Sequence, residues 1–328
     1  MNVLSLFDGI SAGQVALGRA GIVVDKYYAA EVDKYAITVT QANYPSTIQL
    51  GDVTKWREWD IDWSSISLLI GGSPCQGFSF AGKQLAFDDP RSALFFVYVD
   101  ILNHIFSVNP SVKFLLENVK MKREYLDVIS EQLGVQPIFI NSSLVSAQNR
   151  RRYYWANWKI TQPEDRQITL IDILESDGVG SVKSYGEWKE RSNKSQCLDA
   201  NYFKGVDNHG QRTMVKCCAQ RGRYLVDGKR ADHTVDSMAG LTEQRYECRE
   251  DGKTNCLTTV QKDNLVQLNE GYRKLTPVEC ERLQTFPDGY TAHVSNTQRY
   301  KALGNSWTVD VVAYILKNMA EQWGNIKF

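Results

Sequence analysis

The chain lacks the features that mark membrane and secreted proteins. None of the apolar runs in its 328 residues is long enough to span a bilayer. Residues 1–7 lack the basic start and small-residue cleavage site of a secretory signal, and they are more typical of a buried strand. We therefore expect a soluble, cytoplasmic protein with no membrane partner.

Cysteine is sparse, and its spacing argues against two common structural uses. The seven cysteines are odd in number and scattered, so they predict free thiols rather than a disulfide framework. Cys217 and Cys218 are adjacent, and Cys248 and Cys256 lack the short paired spacing of structural zinc sites. We therefore expect no bound metal.

The chain also has no excess of either charge, since 38 basic residues balance 38 acidic ones. Global charge thus gives no support for a nucleic-acid partner. Locally, residues 183–230 contain eleven basic and five acidic residues with aromatic side chains among them. This composition fits a solvated basic face and a nucleic-acid surface equally well. The aromatic residues are Tyr185, Trp188, Tyr202, Phe203 and Tyr224.

Between residues 2 and 158, short apolar runs alternate with longer amphipathic stretches. This alternation is typical of strands and helices around a parallel sheet. We therefore predict an α/β fold with an open, doubly wound, mostly parallel sheet of the Rossmann-like kind. The predicted strands are 3–7, 23–29, 47–50, 67–70, 113–116, 138–141 and 153–158.

The helical periodicity disappears beyond about residue 180, where short runs alternate with turn residues. This change predicts a smaller, mostly β or irregular domain over residues 181–296. Helical patterns return at 276–284, where Thr276 and Glu279 form a capping box, and at 306–323. Residues 1–180 and 297–328 would then form the larger domain.

Three predicted strand ends carry groups suited to a nucleoside. The segment 7–13 permits a tight turn into a helix N-terminus, Glu31 could accept hydrogen bonds from a ribose, and Gly51-Asp52 ends the third strand. The turn alone could be an ordinary strand-to-helix connection. Together the three ends favour a nucleoside-containing cofactor, either NAD or S-adenosylmethionine.

The loop after the fourth strand holds a candidate nucleophile. A free cysteine is usually a small buried hydrophobe, but Cys75 lies between Pro74 and the glycines of residues 71–77, at the ligand-binding edge of the sheet. The next strand ends in Glu117-Asn118-Val119, and an acid that follows an apolar run tends to hold a proton. A nucleophile and an acid are thus predicted to converge.

These motifs and their order resemble the cytosine carbon-5 DNA methyltransferases of bacteria and phages over nearly the whole chain. The matching blocks include Pro74-Cys75, Glu117-Asn118-Val119 and Gln148-Asn149-Arg150-Arg151-Arg152. The later blocks are Arg273-Lys274-Leu275-Thr276-Pro277, Glu281-Arg282-Leu283-Gln284 with Phe286-Pro287, and Gly304-Asn305-Ser306. Six blocks in the same order are far more specific than any one of them.

The resemblance implies a catalytic set of Cys75, Glu117, Arg150 and Arg152. In this family a thiolate adds to carbon 6 of cytosine, and the ring then attacks a methyl sulfonium through carbon 5. Glu117 would protonate or hydrogen-bond ring nitrogen 3, and the two arginines would hold the base carbonyl and a phosphate. Substrate-positioning residues would be Ser73, Gln76, Asn118 and Val119, with Asn305 close to the base.

The resemblance also implies S-adenosylmethionine as the cofactor and S-adenosylhomocysteine as its product. Phe7 would stack on adenine, Gly9 would approach the methionine part, Glu31 would bind the ribose and Asp52 the adenine amino group. A tryptophan often follows the acid in this family, whereas this chain has Val32. The complete implied set is Phe7, Asp8, Gly9, Glu31, Val32, Asp52, Val53, Pro74, Leu94, Asn305 and Ser306.

The resemblance implies double-stranded DNA as the partner, from which the target base must be flipped. It also implies that the enzyme could belong to a system with a cognate restriction endonuclease. The second domain would recognise the target, and we expect a monomer. A tRNA cytosine-5 methyltransferase and an inactive DNA-binding relative are the alternatives. The run Gln-Gly-Phe-Ser after Cys75 and the large second domain disfavour the first, while the complete catalytic set disfavours the second. An oxidoreductase would leave Cys75 and the arginines unexplained.

Overall fold

The first half of the chain forms a seven-stranded sheet in the computed structural model. The structure describes residues 1–73, 93–175, 179–184, 187–191, 194–205, 209, 211–217, 219–226, 229–230, 242–247 and 271–323. The strand order is β3-β2-β1-β4-β5-β7-β6, and only the pairs of β7 with β5 and β6 are antiparallel. The strands are β1 (Asn2–Leu6), β2 (Lys26–Ala30), β3 (Ile48–Gln49), β4 (Ile66–Gly71), β5 (Lys113–Val119), β6 (Ile138–Asn141) and β7 (Arg151–Ala156).

Helices cover both faces of this sheet, because successive strand residues point to opposite sides and both sets are apolar. Val3 packs in one buried cluster with α1 (Ala12–Arg19) and α7 (Val309–Trp323). Leu4, the next residue, packs in the other cluster. The predicted doubly wound fold is therefore confirmed. The first cluster also contains α2 (Lys34–Asn43), α5 (Pro277–Leu283) and α6 (Asn296–Asn305), and the second contains α3 (Ala93–Val108) and α4 (Arg123–Leu133).

The element boundaries differ from the sequence predictions at several places. Strand β2 begins at Lys26 rather than at Val23, which is 78% exposed and lies in the segment before the strand. The predicted capping box of Thr276 and Glu279 is present at α5. The last helix begins at Val309, because Ser306 is the C-cap of α6. Helix α6 itself was missed by the sequence analysis.

Two small antiparallel sheets follow residue 178, as the β-rich pattern predicted. One has the order β14-β10-β8-β9 and the other the order β12-β11-β13. Their strands are β8 (Val179–Ser184), β9 (Glu187–Arg191), β10 (Met214–Cys217), β11 (Ala219–Val226), β12 (Lys229–Arg230), β13 (Thr242–Glu247) and β14 (Gly271–Lys274).

Part of the expected second domain packs with the large sheet. Leu198, Tyr202, Leu275 and Cys280 belong to the same buried cluster as α1 and α7. The division of the chain at residues 180 and 297 stays a prediction. Within the described ranges, no helix is long and apolar enough to cross a membrane.

Candidate active site

A cavity of about 420 Å³ lies at the carboxyl ends of the parallel strands. The loops after β1, β2, β3 and β4 and the last residues of β5 form its wall, together with part of α6. Parallel strands place their following loops along one edge, so residues far apart in sequence meet there. The expected site residues that line the cavity are Phe7, Gly9, Glu31, Val32, Asp52, Val53, Ser73, Leu94, Glu117, Asn118, Val119, Arg150, Arg152 and Asn305.

The loop between β1 and α1 is tightly folded. Phe7, Gly9 and Ser11 all have φ close to +60°, with values of 59°, 60° and 56°. The left-handed region is unfavourable for residues other than glycine, so the contacts around the loop must hold this shape. Gly13 follows in α1, where a Cβ would lie 2.6 Å from the hydroxyl of Tyr27. The glycine therefore allows the helix to lie close to β2.

Glu31 provides much of this support from the end of β2. Its Oε2 accepts a hydrogen bond from the backbone N–H of Gly9 at 2.8 Å. Its Oε1 accepts from the N–H groups of Val32 and Asp33, also at 2.8 Å. The carboxylate therefore joins the first two loops of the cavity.

Asp8 lies behind the cavity wall rather than on it. Its carboxylate accepts hydrogen bonds from the hydroxyls of Ser11 and Tyr27, the latter at 2.7 Å. Burial raises the pKa of Asp8 to about 6, although the bonds from Ser11, Ser5 and Tyr27 act in the opposite direction. Asp8 therefore stabilises the loop, and its carboxyl group is a weaker acid than that of an ordinary aspartate.

Asp52 lies at the end of the loop after β3, where its side chain caps the short 3-10 helix Val53–Glu58. Its Oδ1 accepts from the N–H of Thr54 at 2.9 Å and from the Thr54 hydroxyl at 2.8 Å. These bonds lower the pKa of Asp52, so it is ionised at neutral pH. The second carboxylate oxygen can accept a hydrogen bond from a ligand.

Two features of the cavity mouth were missed by the sequence analysis. Tyr35 is 39% exposed and lines the cavity beside Val32, which is 71% exposed. Lys301 of α6 forms a 2.6 Å ion pair with Asp33, the N-cap of α2, and both residues also line the cavity. The pair joins two segments 268 residues apart, a distance over which no local pattern could indicate it.

At the opposite side of the cavity, Glu117 and Arg152 form an ion pair. The distance from Arg152 Nε to Glu117 Oε1 is 2.8 Å. Gly72 leaves room for this carboxylate, since a Cβ there would lie 3.1 Å from Glu117 Oε2 and 2.9 Å from Trp307 Nε1. Asn118 donates to the Ser73 hydroxyl at 3.3 Å, which joins the end of β5 to the loop after β4, and it accepts from the N–H of Val119.

Arg150 is buried, and backbone carbonyls hold most of its guanidinium group. NH1 donates to Leu198 O at 3.0 Å, while NH2 donates to Ser306 O at 2.7 Å and Gly304 O at 3.2 Å. Arg150 therefore fastens the turn between α6 and α7 to the sheet. Its Nε has no partner among the described residues.

The remaining expected site residues are Ser306, Pro74, Cys75 and Gln76. Ser306 is buried behind the cavity, next to Arg150. The other three lie outside the described residues. Within the described part of the chain, no group of His, Cys, Asp and Glu residues could hold a metal ion.

The cavity suits a nucleoside-containing ligand. Its volume lies within the range of about 300–1,000 Å³ that is common for small-molecule sites. Phe7 offers an aromatic surface, and Glu31 and Asp52 are acceptors for hydroxyl and amino groups. A carboxylate and two guanidinium groups lie at the other end, which is a suitable place for a polar second substrate.

Comparisons with known proteins agree on one family. The model of the C-5 cytosine-specific DNA methylases matches residues 1–321. The Type II methyltransferase M1.ScrFI of Lactococcus lactis subsp. cremoris is 31% identical over 337 residues, covering 97% of this chain and 78% of that protein. M.HpaII of Haemophilus parainfluenzae is 28% identical over 345 residues, covering 98% and 90%. The Entamoeba histolytica methyltransferase EhMeth has a similar fold, with a TM-score of 0.65, 16% identity and 98% of each chain covered.

Proposed function

Because the chain belongs to the C-5 cytosine-specific DNA methylase family, we propose that it methylates carbon 5 of a cytosine flipped out of duplex DNA through a covalent bond to Cys75. The chain is a DNA methyltransferase, and its family uses S-adenosylmethionine. The observation that supports this mechanism best is the shared cavity. Glu117, Arg150 and Arg152 line it together with Phe7, Glu31 and Asp52. The strand order places β5 and β7 on one side of β4 and places β1, β2 and β3 on the other side, so the two sets lie toward opposite ends.

The chemistry begins with addition of the Cys75 thiolate to carbon 6. A sulfur–carbon bond forms, and the electrons of the 5,6 double bond make carbon 5 nucleophilic. Carbon 5 then takes the methyl group that the cofactor supplies as an electrophile. Loss of the proton from carbon 5 restores the double bond and expels the thiolate. We propose that water accepts this proton.

Glu117 is the group that would relieve the negative charge on the ring by a proton or hydrogen bond to nitrogen 3. Its Oε1 is bound by Arg152, so Oε2 is the oxygen that would face the base. We assign the contact with the base carbonyl to Arg152. Arg150, whose NH1 and NH2 already bind carbonyls, would act mainly by holding the turn that contains Asn305.

The cofactor would lie between Phe7, Glu31 and Asp52. A carboxylate has about four lone-pair sites, and three N–H groups already use three of those on Glu31. Glu31 can therefore accept one ribose hydroxyl, through Oε2. Val32 is exposed at the position where the family often has a tryptophan, and Tyr35 beside it offers an exposed aromatic surface.

The DNA would be held by the β-rich part within residues 181–296, where basic and aromatic residues concentrate. We propose that the enzyme acts as a monomer on double-stranded DNA. M.HpaII and M1.ScrFI are both named Type II methyltransferases, which supports a restriction endonuclease as the associated enzyme.

The test is transfer of a labelled methyl group by the purified chain to duplex DNA, single-stranded DNA and tRNA. We expect 5-methylcytosine in duplex DNA and no transfer by Cys75→Ser, which should still bind DNA. Duplex DNA with 5-fluorocytosine at the target should trap a covalent adduct with the wild type. Transfer to tRNA alone would make the chain an RNA enzyme, and no transfer to any substrate would make it an inactive relative.

A further inference from the structure

A short segment of the second half of the chain lies directly beside the two arginines of the site. Ser195 pairs with Gln148 as a parallel bridge. The N–H of Ser195 donates to Ala147 O at 2.7 Å, and the N–H of Asn149 donates to Ser195 O at 2.9 Å. Leu198 donates its N–H to Oε1 of Gln148 at 3.0 Å. These bonds fix the backbone on both sides of residues 196 and 197.

Cys197 therefore lies at the junction of the two guanidinium groups. Its Sγ accepts from Arg150 NH1 at 3.2 Å and from Arg152 NH2 at 3.9 Å, and the thiol is 3.5 Å from Leu198 O. The sulfur is thus a side-chain atom that both arginines contact. Serine would keep a similar donor and acceptor there, whereas alanine would leave neither.

The charges around Cys197 strengthen these contacts. Burial would raise the pKa of the thiol, but the positive charges of Arg150 and Arg152 and their hydrogen bonds outweigh it and lower the pKa. A sulfur with more thiolate character is a better acceptor for a guanidinium group. Cys280, by contrast, is completely buried, and its thiol pKa is raised by burial.

We propose that Cys197 is a positioning residue for methyl transfer, whose sulfur holds the guanidinium groups of Arg150 and Arg152 at the cavity. The inference rests on the proposed function, because the arginines are assigned there to the flipped base and to the turn before α7. It adds a second cysteine to the site, one that acts without bonding to the substrate. It also links the segment that leads to the DNA-binding part with the residues that hold the base.

The proposal predicts a selective loss of rate. Without an acceptor at position 197, Arg152 keeps its ion pair with Glu117 but loses the contact at NH2, so its position is less well defined. Small errors in the placement of a group that contacts the reacting base reduce the rate of the chemical step. Cofactor binding should be little affected, because Cys197 is not among the residues that line the cavity.

The experiment compares Cys197→Ala, Cys197→Ser and the control Ser195→Ala in the full chain. The Ser195 hydroxyl bonds Gln196 O and touches neither arginine, so its loss should leave the rate unchanged. Each variant is measured by single-turnover methylation of duplex DNA, affinity for DNA, KM for the cofactor and thermal melting. We expect about a tenfold slower turnover for Cys197→Ala, the size of one lost hydrogen bond to a charged group. DNA affinity and KM should stay within about twofold, with the rate mostly restored by serine.

A wild-type rate in Cys197→Ala would overturn the proposal, as would equal losses in the alanine and serine variants. A defect confined to KM or to DNA affinity would also overturn it. Failure of the proposed function gives a different result, because the wild type would then transfer no methyl group to DNA.

Discussion

Arg152 and Glu117 form a 2.8 Å ion pair in which both side chains are almost buried, 14% and 11% exposed. The pair depends on the one reversed strand of the sheet. Strand β7 runs antiparallel to β5 and places Arg152 opposite Val119, two residues from the acid. The acid assigned to the base is therefore fixed before substrate binds, and its neighbour supplies a matching charge.

Glu117→Gln should slow methyl transfer by about 10²- to 10⁴-fold, the usual contribution of a general acid. Glutamine keeps the size of the side chain but holds no proton to give and no charge for Arg152. The measurement is single-turnover transfer, with cofactor affinity determined by calorimetry. Affinity should change little, since Glu117 lies at the other end of the cavity. A glutamine variant that keeps more than a tenth of the wild-type rate would exclude this role for Glu117.

Lys301→Ala should weaken cofactor binding by at most about fivefold, because partly exposed ion pairs contribute about 0.2–1 kcal/mol. Lys301 and Asp33 join α6 to α2 across the cavity mouth, so loss of the pair should speed cofactor release. The effect should shrink in high salt, which screens the pair in the wild type. Lys317→Ala is the control, since Lys317 pairs with Glu321 on α7 and does not line the cavity. Equal effects of the two variants on cofactor release would show that the ion pair of Lys301 and Asp33 does not retain the cofactor.

Asp8→Asn should make the protein more stable relative to wild type as the pH rises. The pKa of Asp8 is about 6 in the fold and 3.8 in its ordinary state, so folding favours the protonated form. The stability from this preference is complete below pH 4 and is lost as the pH rises through 6. The shift corresponds to about 3 kcal/mol between these limits. Urea unfolding of both proteins from pH 4 to pH 7 measures it.

The control for this pH effect is Asp62→Asn, where the sign is opposite. The hydrogen bond from the Ser64 hydroxyl lowers the pKa of Asp62, so its contribution is present above the ordinary pKa and lost as the pH falls. Between pH 4 and pH 7, a range above the ordinary aspartate pKa of 3.8, the difference in unfolding free energy between wild type and Asp62→Asn should therefore change little, while wild type becomes less stable relative to Asp8→Asn. If the difference in unfolding free energy between wild type and Asp8→Asn is constant with pH, the raised pKa of Asp8 is contradicted.

The sequence predicted the sheet and much of the site for a physical reason. Strands that run in parallel place their ends on one edge, so Phe7, Glu31, Asp52 and Glu117 could be expected to meet without knowledge of the fold's details. Contacts of α6 could not be predicted in this way. Its sequence, Asn296–Asn305, is mostly polar and gives a weak helical pattern, so even the helix was missed. The position of Cys197 between two arginines depends on a bridge that pairs segments 47 residues apart.

Gly304→Ala should destabilise the protein, whereas Gly18→Ala should not. Both glycines lie in helices, where alanine is intrinsically better by about 1 kcal/mol. At Gly18 a Cβ meets nothing within 4 Å, so we expect a gain of up to that size. At Gly304 a Cβ would lie well under 3.0 Å from backbone atoms of Asp199 and Ala200, which cannot rotate away. We expect a net loss of about 1–3 kcal/mol from this overpacking.

The same clash would push the segment that carries Cys197 and Leu198 away from Arg150, because Leu198 and Gly304 are both bound by that guanidinium group. At a temperature well below its melting midpoint, Gly304→Ala should be almost fully folded. Its rate of methyl transfer should nevertheless be lower than that of wild type. Thermal melting and single-turnover transfer on the two glycine variants test both parts. If Gly304→Ala melts and turns over like Gly18→Ala, the close approach of α6 to residues 199–200 is wrong.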